Sequence, residues 1–140
     1  MKRLTRFTFI ASCLAVATIA VAARTTAPAG AEVYFIAPKD GETVTSPVTV
    51  RFGLKGMGIA PAGIAFENTG HHHLIIDADL PPMDAPVPAD AQHLHFGKGQ
   101  TETTIELKPG KHTLQLLLGD QLHVPHQPPV VSRKITITVK

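Results

Sequence analysis

The 140-residue chain carries 13 basic and 11 acidic residues, eight histidines, no tryptophan and a single cysteine, Cys13. One cysteine excludes an internal disulfide framework, and with Cys13 in the expected N-terminal leader the mature chain has no thiolate for a metal site. The formal charge of +2 belongs to the N-terminus: without Lys2, Arg3, Arg6 and Arg24, nine basic residues face eleven acidic ones, a net −2. That balance excludes the electropositive footprint of a nucleic-acid binder.

Lys2, Arg3 and Arg6 form a basic start, and Phe7 to Ala22 follow without a charge. Ala20-Val21-Ala22 has the small-x-small form of a cleavage site, so residues 1–23 are expected to be a secretory signal peptide. The apolar run is shorter than the roughly 20 residues a membrane span needs, so no span is expected after cleavage. Ile10-Ala11-Ser12-Cys13 resembles a lipobox, but the apolar stretch ahead of Cys13 is too short for an h-region and continues beyond it. Residues 24–31 look like a flexible leader outside the core, and Ala29-Gly30-Ala31 offers a second cleavage motif. Residues 32–140 then form a single domain, near the usual domain size, in a periplasmic or secreted protein.

Val33 to Ile36 is rich in β-formers and ends in Pro38-Lys39-Asp40-Gly41, a turn in which Pro presets φ and Gly permits positive φ. Val48, Val50, Phe52 and Leu54 alternate with Thr49, Arg51 and Gly53, the period of a half-buried strand. Gly56, Gly58, Pro61 and Gly63 mark a loop. His72 to Asp77 reads as a strand, and consecutive Leu74, Ile75 and Ile76 require burial on both faces, hence a central position. Four prolines between Pro81 and Pro88 make residues 80–90 an extended loop. His93 to Phe96 is a short strand with Leu94 and Phe96 inward. Thr101 to Leu107 and Lys111 to Leu118 alternate again, joined by a Pro109-Gly110 turn. Leu122 to Pro129 is a Pro-rich loop, and Ile135, Ile137 and Val139 set the last strand. Six to seven short strands separated by turn signals predict an all-β, immunoglobulin-like antiparallel sandwich, with a small closed barrel as the alternative.

Seven of the eight histidines fall into three groups: His71-His72-His73, His93-x-His95 and His123-Val124-Pro125-His126. Residues i and i+2 of a strand share a face, so His71 pairs with His73 and His93 with His95. Pro125, Pro128 and Pro129 stiffen the third group. Imidazole nitrogens suit zinc, copper and nickel. The expected ligand pool is His71, His73, His93, His95, His123 and His126, holding a copper or zinc ion with three or four of them. His72 packs among Leu74 and Ile76 if it is a core residue. His112 shares parity with Leu114 and Leu116 and is expected at the core edge. Asp77, Asp79 and Asp120 are carboxylates placed to accept a ligand's second N–H. Met57 and Met83 are too scattered for a thioether site.

The runs Asn68 to Asp77, His93 to Glu102, Pro109 to Asp120 and His123 to His126 resemble a family of small exported bacterial proteins known only as a domain of unknown function. The resemblance implies export and a compact single domain and supplies no activity. Ala37-Pro38-Lys39-Asp40-Gly41 ahead of a strand is similar to periplasmic copper-binding sandwiches of the copper-resistance type. None of the expected mature N-termini is the histidine that those proteins use, and no residue is carried over.

Metal buffering or delivery without catalysis is the expected function, with the metal ion as partner. A β-sandwich interaction module for an envelope partner protein is the alternative. A copper–zinc superoxide dismutase-like enzyme is the third, although the disulfide and ligand spacing of those enzymes are missing. Ser46 and Ser132 lack the nucleophile-elbow context of a hydrolase.

Overall fold

The computed structural model describes residues 23–140, and the expected signal peptide lies almost wholly outside them. Nine strands follow one another: β1 (Glu32–Ala37), β2 (Thr43–Val44), β3 (Val48–Lys55), β4 (Gly58–Ile59), β5 (Thr69–Ile76), β6 (His93–His95), β7 (Glu102–Ile105), β8 (Gly110–Gly119) and β9 (Ile135–Val139). No helix occurs among the described residues, so none is long and apolar enough to cross a membrane.

The strands form two sheets. One has the order β1-β3-β7; the other runs β2-β9-β8-β5-β4, with β6 also paired to β5. Most pairs are antiparallel, and the short β2–β9 and β4–β5 pairs are parallel. This is the expected all-β sandwich, with two two-residue strands beyond the seven longer ones.

The core follows from the period-two pattern. Val48, Val50 and Phe52 of β3 join Val33 and Ile105 from the first sheet. Leu74 and Ile76 of β5, Leu114, Leu116 and Leu118 of β8, and Ile135, Ile137 and Val139 of β9 meet them from the second. Each fully buried aliphatic side chain in such a layer contributes roughly 1.5–3 kcal/mol.

β5 is buried on both faces, as its unbroken apolar run requires. On the side away from the core, Ile75 and Leu117 pack with Val87, and Ala78, Met83 and Val131 cover their flanks. The Pro-rich segment 80–90 and the strand-free segment after β8 therefore roof the outer face of the second sheet. The histidines stand under the edge of this roof.

Residues 24–31, expected to be a loose leader, are docked instead. Ala27 is buried in the main core. Its N–H donates to the Gln127 carbonyl at 3.0 Å, and Gln127 N–H donates to the Thr25 carbonyl at 2.9 Å. Composition alone hides this, because the segment contributes one small apolar side chain and a backbone ladder rather than an alternating apolar run.

Candidate metal centre

β5 sets the geometry. It pairs with β8 through His71↔Gly119, His72↔Leu118 and His73↔Leu117, and with β6 through His73↔His95. Strand side chains alternate between faces. His72, Leu74 and Ile76 therefore enter the core, and His71, His73 and Ile75 point to the outer face. His73 and His95 are directly opposite on paired strands, the arrangement that brings Cβ atoms closest. Their ring centroids lie 5.2 Å apart, and those of His71 and His73 lie 4.8 Å apart.

The fourth imidazole arrives from the segment after β8. His123 Nδ1 lies 3.1 Å from His71 Nε2, and the His123 ring centroid is 4.6 Å from that of His95. One ring nitrogen from each of His71, His73, His95 and His123 falls within 4.8 Å of all the others. Tetrahedral metal–nitrogen bonds of about 2.0–2.1 Å place ligand nitrogens about 3.4 Å apart, so modest inward rotation of the rings would let them enclose an ion.

A compact turn presents His123. Buried Asp120 accepts from the amides of Leu122 at 2.9 Å and Val124 at 3.0 Å through Oδ1. Its own N–H donates to the Val124 carbonyl, and its carbonyl accepts from His123 N–H, both at 2.9 Å. His123 sits at φ 66°, in the left-handed region. Such a conformation costs an L-residue about 1–2 kcal/mol, although histidine tolerates it better than most. The bonds around Asp120, with Val87 N–H donating to the His123 carbonyl at 2.9 Å, hold it there.

Two glycines make room for the rings. A Cβ on Gly119 would lie 2.6 Å from His73 Cε1 and 3.3 Å from His123 Cα. One on Gly97 would lie 2.3 Å from His95 Cε1. Neither position accepts a side chain while the rings stay where they are.

Three of the four imidazoles, His71, His73 and His95, are biased to the neutral form, which offers a lone pair to a cation. Burial, followed by the neighbouring imidazoles His95 and His123, pushes His71 down to about 4. Burial and the same crowding, led by His71, push His73 to about 3. His95 is lowered by burial and then by His123. A neutral ring holds a lone pair for a metal, and protonated rings this close would repel one another. Buried Nδ1 atoms of His71 and His73 have no hydrogen-bond partner among the described residues. Buried polar atoms in native proteins nearly always have a partner, and His72 and His126, outside the cluster, also keep unmet ring nitrogens. The group opens to solvent through His95, the exposed member.

The other histidines stand apart. His93 shares the outer face with His95 but lies opposite Ile75, and its Nδ1 pairs with Asp90 Oδ1 at 2.8 Å. His126 is buried with Nε2 3.1 Å from the Thr69 carbonyl, against the core-facing side of Gly70, on the far side of β5 from the cluster. His72 packs on Phe52, ring centroids 5.0 Å apart, in the core. His112 is clamped between Asp77 Oδ2 at 2.7 Å and the Lys108 carbonyl at 2.8 Å, which raises its proton affinity.

The three carboxylates do not bond to the cluster imidazoles. Asp77 serves His112 and the Thr113 amide, and Asp79 pairs with Lys134. Asp120 acts through the backbone of the turn. Sequence reasoning missed that role, and the Gly119-Asp120 pair closing a strand is the signal that carries it, since Asp side chains cap the amides two residues on.

The family model for the domain of unknown function DUF4399 matches residues 50–140, a stretch that holds all eight histidines. No copper-resistance family matches the chain. Neither a curated protein nor a solved structure matches it. With most of β3, all of β4 to β9 and the complete histidine cluster inside the matched region, the chain belongs to the DUF4399 domain family.

Proposed function

We propose that this protein binds one copper or zinc ion through His71, His73, His95 and His123, outside the cytoplasm, and buffers the ion or hands it on. One observation carries the proposal: four imidazole nitrogens from three separate segments lie within 4.8 Å of one another. Two of these rings also keep buried nitrogens without partners. An all-imidazole set suits zinc and copper, and divalent copper binds such donors more tightly than zinc. Four protein ligands fill a tetrahedral ion and leave no open position for a substrate, which favours binding over turnover. The signal-like N-terminus supports the exported setting.

Calorimetric titration of the tag-free protein with Cu(II) and Zn(II) tests the proposal. Stoichiometric binding of one ion is expected, tighter for copper. His95→Ala removes an exposed ligand at little risk to the fold and is expected to weaken binding at least tenfold. His93→Ala, one parity step along the same short strand, is expected to change it less than twofold. Equal affinity in wild type and His95→Ala would exclude this site.

A further inference from the structure

The segment immediately after the expected signal peptide bonds to the turn that carries His123. Thr25 Oγ1 donates to Asp120 Oδ2 at 2.7 Å, the carboxylate oxygen that the turn amides leave free. Arg24 donates through Nε to the Pro125 carbonyl at 3.0 Å, and its guanidinium also reaches the His126 carbonyl and the Gln127 side chain. Thr26 bridges Gln127, and Ala27 anchors the stretch in the core. Ala29-Gly30-Ala31, the second cleavage motif, forms a turn closed by Ala31 N–H on the Pro28 carbonyl and lies against Gly56.

We infer that Arg24–Ala27 is a strap that positions the metal site and that the working protein retains it, so that export processing ends at or before Ala23. This rests on the metal-binding reading. The reason is mechanical. His123 holds a left-handed backbone, and a residue in that region keeps its place only where its surroundings over-determine it. The Asp120 carboxylate supplies that restraint through two turn amides, and its own orientation is fixed on the other oxygen by Thr25. Thr25 is thus a positioning residue acting through Asp120. Without its hydroxyl the carboxylate keeps only its two turn amides, its hold on the turn weakens, and His123 spends less time beside His71. A chain cut after Ala31 would keep every proposed ligand and lose the pre-organisation, and pre-organisation is what lowers the ordering cost of binding.

The full chain, expressed with its own leader and recovered without a tag, gives two readouts. Its intact mass is expected to include Arg24–Ala27, and a chain beginning at Glu32 would overturn the inference. Thr25→Val, which keeps the shape and removes the hydroxyl, is compared with Thr25→Ser, which keeps the hydroxyl. Zn(II) affinity is expected to fall about tenfold in Thr25→Val and to recover in Thr25→Ser. Hydrogen exchange at the Leu122 and Val124 amides, measured without metal, is expected to quicken in Thr25→Val alone. Unchanged exchange in Thr25→Val would sink the strap. Failure of the wild-type chain to bind Zn(II) or Cu(II) would sink the metal reading, and the exchange rates would still decide the strap.

Discussion

His72 is flanked in sequence by two members of the cluster and faces the opposite way. Burial pushes it down to about 4, and neither ring nitrogen has a hydrogen-bond partner among the described residues. A neutral imidazole always carries one N–H, and an unmet buried donor costs about 1–3 kcal/mol. Leucine has a similar volume and nothing to satisfy. His72→Leu is therefore expected to stabilise the protein by about 1 kcal/mol in urea denaturation, with metal affinity unchanged within twofold. A loss of stability would mean that the ring meets a polar partner after all. The parity rule separated His72 from His71 and His73 in the sequence, but it could not separate His93 from His95. Both project from the same side of β6, and the difference lies in what stands opposite: Ile75 for one, His73 for the other. Register between strands decides which imidazoles cluster, and register is a property of two segments that a single pattern does not reveal.

β5 and β8 together make a ledge on which the rings rest, and Gly119 is its flattest point. Gly119→Ala would push a methyl group to 2.6 Å from His73 Cε1. Overpacking of this kind costs typically 1–3 kcal/mol, and the ring can yield only by leaving the cluster. The expected outcome is a loss of that order in stability with at least tenfold weaker Zn(II) binding. A variant that binds like wild type would show that the ring has another stable position. Alternating patterns made the long strands legible, because half-buried strands write their period into Val48–Leu54 and Ile135–Val139. The connections were less so. Which of His123 and His126 joins the cluster depends on the left-handed turn at His123 and on Asp120 bonding the Leu122 and Val124 amides. That conformation has no periodicity, and prolines at 125, 128 and 129 announce stiffness without direction.

The whole protein should respond to acid through its buried imidazoles. His71 and His72 are held near 4 and His73 near 3, all below the 6.5 of an unfolded histidine. The unfolded chain therefore takes up protons first as pH falls below about 6.5, and stability declines from there until the folded-state values are reached. Above that window these three contribute no slope. For His72 alone the loss between pH 7 and pH 5 is on the order of 2 kcal/mol. His112 works in the opposite sense: its bond to Asp77 favours the charged ring, so its contribution is complete below the unfolded value and fades as pH rises through the raised one. Thermal melts of the metal-free protein from pH 8 to pH 4.5 are expected to show a shallow decline toward the alkaline end, from His112, and a steep fall below about pH 6.5. A flat profile across that range would show that these imidazoles are not buried neutral in the folded state.

The cluster occupies the outer face of β5, while the aliphatic core lies on the inner face between the two sheets. Leu74, Leu114, Leu116, Leu118 and Ile137 are fully buried between the sheets, away from the four clustered imidazoles. Small domains whose core is the metal itself collapse when it leaves. If the cluster holds an ion as proposed, its loss would leave the core between the sheets untouched, and a protease searching for open chain would find little to distinguish the two forms. On the proposed metal-binding reading, the same molecule would pass through many rounds of loading and release, its lifetime set by its sandwich rather than by the ion.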